Sequence, residues 1–293
     1  NILNTVSICS ALVLAGEKNK NVVVVCADVS ESARAEGFRK KFPERFIEVG
    51  VAEQNMASVA AGMSFEGKIP FIVSYAVFNP GRNNEQIRTT IAYNNANVKI
   101  ISSHSGVSVG QDGATHQALE DIGLMRMLPN VKVIVPCDAE EAKKAVVAAS
   151  EIPGPVYLRF FRNKTPVITT SHTGFKIGYA EVFKEGKDAV IFACGPLVYN
   201  SLLAAMELEK EEISTAVVNV HTVKPLDKNT ILKYARSVRA VVSAEEHQIA
   251  GGLGSAISEL LAKEFPVPME FVGVDDKFGE SGKPEELIEK YGM

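Results

Sequence analysis

The run Asn21-Val22-Val23-Val24-Val25-Cys26-Ala27-Asp28 narrows the choice of fold more than any other stretch. A strand with one wet face would alternate polar and apolar residues. Here the β-branched residues are continuous, the pattern of a strand buried on both faces of a parallel sheet. Parallel neighbours need crossover connections, usually helices, and the chain supplies them. Helical spacing over 2–15, stopped by Gly16, precedes the run. Strands are predicted at 46–49, 69–75, 98–103, 131–135 and 156–160, and helices at 53–65, 85–94 and 115–127. Asp138-Ala139-Glu140-Glu141 reads as a capping box opening a further helix to 149. This alternation implies an α/β fold with a doubly wound sheet over 1–165.

A polar stretch over 163–174, with Thr, Ser and Pro166, reads as a linker. A second α/β domain follows over 175–293. Its strands fall at 189–193, 215–219, 240–244 and 268–273, and its helices at 197–209, 228–235, 251–262 and 284–291. A length of 293 residues fits two domains of ordinary size, and 46% hydrophobic content supports a sizeable core.

A net charge of -4, with no basic block, argues against a nucleic-acid or membrane-surface partner. No apolar stretch is long enough to span a bilayer. Cys9, Cys26, Cys137 and Cys194 are scattered, without metal-ligand spacing. The expectation is buried, reduced thiols in a cytoplasmic protein without a signal peptide.

The candidate chemistry gathers where predicted strands end, the ligand side of an open α/β sheet. Glu53 opens a helix just after the strand at 46–49. A helix start favours a carboxylate through its dipole alone, but the strand-end position also suits a functional acid. Asp28 ends the first strand, and Ser32 lies in the polar loop beyond it. Tyr75 and Phe78 lie three apart after another strand; such pairs are commonly core. His104 and His116, two of five histidines, flank a glycine-rich loop, which suits catalysis or contact with a polar ligand. Arg162 follows the last strand of the first domain, and a planar guanidinium suits phosphate. Arg159 has the wrong alternation for the same site and is expected in a salt bridge. Gly251-Gly252-Leu253-Gly254 precedes a helix but is not GxGxxG, and tight packing is the expectation there. His172, His221 and His247 receive no catalytic role.

The segment Gly50-Val51-Ala52-Glu53-Gln54-Asn55-Met56 resembles the stretch that carries the cofactor-activating glutamate of transketolases. Gly110-Gln111-Asp112-Gly113-Ala114-Thr115-His116-Gln117 resembles a second hallmark of that family, its DG-x-THQ segment. The resemblance runs through the whole chain and matches the C-terminal half of a full-length enzyme. It implies a pyrimidine-binding domain followed by a transketolase C-terminal domain, with thiamine diphosphate as cofactor.

Carried over by motif, Glu53 is the glutamate that hydrogen-bonds N1′ of the aminopyrimidine. Phe78 matches the residue that stacks on that ring, Tyr75 stands where the family often has phenylalanine, and Asp28 matches an aspartate near the cofactor. His104 would reach the sugar phosphate or substrate hydroxyls, and His116 the carbonyl or hydroxyl near the reacting carbon. Asp112 would bond the donor's C2 hydroxyl. Ser32 and Arg162 match phosphate-binding residues. The catalytic set is thus Glu53, His116 and His104.

Two departures stand out. A third pocket aromatic aligns near Gly81, and the family's arginine near the domain start is missing from Asn1-Ile2-Leu3-Asn4-Thr5-Val6. The GDG segment and downstream asparagine that hold diphosphate through Mg²⁺ (or Ca²⁺) are also missing from this stretch of sequence. The resemblance therefore implies an N-terminal transketolase subunit as partner, an α2β2 heterotetramer, and transfer of a two-carbon ketol unit between sugar phosphates. Deoxyxylulose phosphate synthase, a 2-oxoacid dehydrogenase β subunit and a non-catalytic partner-binding regulator remain as alternatives.

Overall fold

A computed structural model describes residues 2–293, with side chains from Ile8 onward. The side chains of 1–7, where the arginine is missing, lie outside the described residues. The first unit runs β1 (Ile2–Leu3), α1 (Asn4–Lys18), β2 (Val22–Cys26), α2 (Glu36–Lys41), β3 (Phe46–Glu48), α3 (Glu53–Phe65), β4 (Ile69–Tyr75) and α4 (Asn84–Gln86), which continues as a π-helix over Ile87–Ala92. Then come β5 (Lys99–Ser103), α5 (Asp121–Met127), β6 (Lys132–Ile134), α6 (Ala139–Glu151) and β7 (Val156–Arg159). Beyond it lie β8 (Lys164–Thr165), β9 (Glu181–Lys184), β10 (Ala189–Ala193), α7 (Leu197–Lys210), β11 (Thr215–Asn219) and β12 (Thr222–Lys224). The chain closes with α8 (Lys228–Ser237), β13 (Ala240–Gln248), α9 (Leu253–Glu264), β14 (Met269–Val274) and α10 (Pro284–Lys290).

The larger sheet has the order β12-β6-β7-β5-β4-β2-β3, parallel except for β12. Every residue of β2 is buried. Val22, Val24 and Cys26 face a layer with Leu12 of α1 and Ala145 of α6, while Val25 faces the opposite layer. Each buried valine contributes about 1.5–3 kcal/mol, which is why this run sits at depth. The smaller sheet, β14-β13-β10-β11-β9, is parallel except for β9. One apolar cluster joins the two, with Ile72 and Tyr157 from the first sheet and Phe192 and Val218 from the second.

Two expectations are corrected. Gly16 does not stop α1, which runs on to Lys18. It is small because a Cβ there would come within 2.6 Å of the Phe38 ring. The helix expected at 115–127 begins only at Asp121. Upstream, the Gln117 amide donates to the Val107 and Glu280 carbonyls, both at 2.9 Å, and holds the backbone in turns. The strand β12, from beyond the linker, pairs with β6 at the edge of the first sheet. The capping box forms as expected, with Asp138 accepting from the Glu141 amide at 2.9 Å. Cys26, Cys137 and Cys194 are buried, Cys9 is half-buried, and all four are unbridged. No described helix is long and apolar enough to cross a membrane.

The topology fixes where a ligand can sit. From β2 the chain goes to β3 on one side, and from β4 it goes to β5 on the other. The order reverses between β2 and β4, so the crevice opens over their carboxyl ends.

Candidate active site

Glu53 is the first residue of α3, entered through Gly50 in the left-handed region at φ +71°. Its neighbour Ala52 offers no capping side chain. Asn83 takes up the tethering role instead, its amide donating to the Glu53 carbonyl at 3.2 Å and to Asn79 Oδ1 at 3.0 Å. The carboxylate is 1% exposed. Its Oε2 accepts from Arg82 Nη1 at 2.7 Å, and Ser74 Oγ lies 3.5 Å from Oε1. A carboxylate this deep needs such partners to offset the loss of its water shell. The Arg82 guanidinium also lies over the Phe78 ring, 4.3 Å from its centroid.

The aromatic candidates form one cluster. Tyr75 stacks on His104 with 4.0 Å between ring centroids and lies 5.9 Å from Phe78. His116 meets the Phe78 ring edge-on at 5.6 Å. Each histidine has its Nδ1 beside its neighbour's hydroxyl, His104 to Ser103 at 3.0 Å and His116 to Thr115 at 2.9 Å. That leaves Nε2 of each ring available to a ligand. Burial, then the positive charge of Arg162, pushes the His104 pKa down to about 4. The ring is therefore neutral near pH 7, able to donate or accept a hydrogen bond. In an NMR titration the His104 ring is expected to stay neutral until well below pH 5; a midpoint near 6.5 would contradict this. The sign for stability follows. The unfolded chain takes up this proton near 6.5 and the folded one only near 4, so the contribution is complete above 6.5 and is lost as pH falls toward 4.

Asp112 and Arg162 meet each other, Nη1 to Oδ2 at 3.1 Å, and the same Nη1 donates to the Val109 carbonyl at 3.0 Å. Their loop needs its glycines. Gly106 has φ +82°, and a Cβ there would lie 2.1 Å from a Glu246 carboxylate oxygen. Asp28 and Ser32 line a cleft of about 480 Å³ with Arg34. The Asp28 amide donates to Glu48 Oε1 at 2.7 Å, the atom that also takes the Gly50 amide at 3.2 Å. One carboxylate thus ties the end of β2 to the turn before Glu53. The charge of Arg34 reaches His104 and lowers its pKa further.

Arg159 is in the salt bridge expected of it, Nε to Asp121 Oδ2 at 2.7 Å, fully buried. His221 stacks on Phe175 at 4.4 Å, His247 is buried with Nδ1 near its neighbour's carbonyl, and His172 is exposed. The glycine-rich turn before α9 is already occupied by a side chain of this protein: the Leu253 and Gly254 amides donate to the Glu245 carboxyl oxygens at 2.7 and 2.8 Å. Among the described residues no group of three or more His, Cys, Asp or Glu side chains is placed to hold a metal ion.

Arg82, Asn83 and Ser74 escaped the sequence analysis, because nothing in their spacing ties them to a residue 20 to 30 positions earlier. The one signal was that Arg82 follows the aromatic pair by four residues, one helical turn from Phe78.

The model of the transketolase pyrimidine binding domain matches residues 5–167, and that of the transketolase C-terminal domain matches 178–293. The chain belongs to the transketolase family. This transketolase chain is 42% identical over 285 residues to a putative transketolase C-terminal section of Methanocaldococcus jannaschii, covering 96% of this chain and 89% of that one. It is 40% identical over 277 residues to a 6-deoxy-6-sulfo-D-fructose transketolase subunit of a Clostridium species, covering 94% and 86%. It superposes with a TM-score of 0.93 on a split-gene transketolase described as an inactive beta4 tetramer, at 46% identity, covering 100% and 94%. Its two α/β domains are those of the transketolase pyrimidine-binding and C-terminal units, and its relatives support a transketolase-type enzyme.

Proposed function

We propose that this chain is the C-terminal subunit of a split transketolase, transferring a two-carbon ketol unit from a ketose phosphate to an aldose phosphate. The observation that carries this is the convergence of a buried carboxylate, Glu53, with the Tyr75, Phe78, His104 and His116 rings where the strand order reverses. A buried acid beside an aromatic face fits the aminopyrimidine end of thiamine diphosphate. When bound, that cofactor supplies the electron sink for breaking a carbon–carbon bond next to a carbonyl. Glu53 would hold the proton at N1′, and Phe78, with Tyr75 behind it, would orient the ring. Asp28 would border the cofactor from the cleft beyond β2.

His104 and His116 would act on the substrate's oxygens through Nε2, His116 nearest the reacting carbon, and both are assigned as catalytic with Glu53. Asp112 would bond the C2 hydroxyl of the donor. Arg162 and Ser32 would hold the terminal phosphate. Two domains, 1–165 and 175–293, would carry these parts, in the cytoplasm. Because a sulfonate is also a tetrahedral oxyanion, the sulfo-sugar relative favours a second donor class at the same arginine.

An N-terminal subunit with the GDG segment and its asparagine would bind diphosphate and Mg²⁺ (or Ca²⁺), in an α2β2 assembly. Support comes from exposed apolar side chains: Val51, two residues from Glu53, is 69% exposed, and Tyr93 and Met127 are 85% and 70% exposed. Such side chains mark surfaces meant for a partner when they cluster, and Tyr93 lines a cavity of about 540 Å³ with Leu128, next to Met127. The test is co-purification from the source organism, then assay of the reconstituted pair. Recovery of a GDG-bearing partner, with ketol transfer that requires thiamine diphosphate and both chains, is the expected result. A dehydrogenase α subunit as partner, or no ketol transfer by the assembled pair, would overturn it.

A further inference from the structure

On the split-transketolase function proposed above, we infer that Arg82 is a built-in stand-in for the cofactor's aminopyrimidine, holding its place until the cofactor enters. The guanidinium makes both contacts the ring would need. Its N–H edge donates to Glu53 Oε2 at 2.7 Å, and its planar face lies over Phe78 at 4.3 Å from the centroid. A flat, delocalised group with donors on its rim is the arginine property that suits such a site. Arg82 and an aminopyrimidine therefore compete for one carboxylate and one ring face.

Of Tyr75 and Arg82, the two groups that flank Phe78 from its own segment, Arg82 is the one free to leave. Tyr75 is fixed by its stack on His104 at 4.0 Å. The backbone of the turn is fixed too: Asn79 donates to the Ile101 carbonyl at 3.1 Å, Ser102 Oγ donates to the Asn79 carbonyl, and Asn83 grips Glu53. Gly81 has no room for a side chain, since a Cβ would fall 2.1 Å from the Val77 carbonyl oxygen. The Arg82 side chain itself is 44% exposed. Its release is a rotamer change at the surface, which costs little time, and leaves the turn as it is. Until the cofactor enters, the same contact keeps the buried Glu53 paired.

Occupation of the site by Arg82 reduces apparent cofactor affinity by the fraction of molecules in which it is closed. The test is thiamine diphosphate binding by calorimetry to the assembled complex carrying wild-type, Arg82→Gln or Arg82→Lys chains. Arg82→Gln is expected to bind about tenfold tighter and to load faster, with Arg82→Lys between, since lysine keeps the charge but loses the flat face. Unchanged or weaker binding by a folded Arg82→Gln complex would overturn the inference, because Arg82 would then belong to the loaded site or be a bystander. If that variant does not assemble, the loaded wild-type structure decides: Arg82 displaced from Glu53 supports the inference, and Arg82 still bonded to it overturns it. A wild-type complex that binds no thiamine diphosphate would instead bring down the function on which the inference rests.

Discussion

Glu53→Gln, in the complete two-chain enzyme saturated with cofactor, is expected to turn over about 10²–10⁴-fold more slowly, the range for loss of a positioned proton-transfer group. Glutamine keeps the size of the side chain and an oxygen for Arg82, but it cannot hold a proton at N1′. The fold should barely notice. Glu53 is the buried half of its pair, at 1% exposure, and Arg82 the wet half, at 44%. Removing the charge on the buried side relieves its desolvation, and the arginine is free to rehydrate. The change in unfolding free energy is expected within about 1 kcal/mol, as for pairs with an exposed partner. The two readouts together are discriminating. Near-normal kcat would remove Glu53 from the chemistry, whereas a slow enzyme that also unfolds early would make its role structural.

The parts of this molecule that could be read from the chain are those with local causes. The valine run of β2 declares its burial because no residue in it can face water, and Asp138 declares a helix start because its own side chain caps the Glu141 amide. Glu53, His104 and His116 stood out because strand ends are where open sheets bind ligands, and the fold brings both histidines to Tyr75 and Phe78. What stayed hidden depends on partners far along the chain. Thr115 to Glu120 has nothing against a helix in its composition, yet Gln117 spends its amide on Val107 and on Glu280, 163 residues away. Strand β12 is three residues of mixed polarity, and only the free edge of β6 makes it a strand. Arg82 gains its place only from the turn after β4, which lays it across Phe78.

Asp121→Ala is expected to cost about 3–5 kcal/mol of stability, the penalty for leaving a buried charge without its partner. Arg159 is 0% exposed, and Asp121 holds its Nε at 2.7 Å while also accepting from Tyr157 Oη at 2.6 Å. Burial alone would raise the Asp121 pKa; the charge of Arg159, with the hydrogen bonds from Arg159 and Tyr157, overrides it and holds the carboxyl below its ordinary value. The pair therefore contributes fully above the ordinary carboxylate range and fades as pH falls through the folded value. Replacing both, as Asp121→Leu with Arg159→Met, should recover most of the loss, since a buried pair and a well-packed apolar pair are often near equal. A remainder should persist. Arg159 Nη2 also donates to the Ala118 carbonyl at 3.2 Å and to the Glu246 carbonyl at 2.9 Å, and both would lose this bond, the Ala118 carbonyl keeping the Gly106 amide at 2.9 Å. Ala118 is two residues from His116, and the Glu246 carboxylate accepts from the Ser108 amide at 2.6 Å, in the loop that carries Asp112. The double variant is thus expected to fold but to lose activity through a loosened loop, with KM rising more than kcat falls. Guanidinium unfolding of the single and double variants checks the energetic part. A loss below about 1 kcal/mol in Asp121→Ala, the level of an exposed pair, would mean that water reaches Arg159 and that the two units are not locked together there.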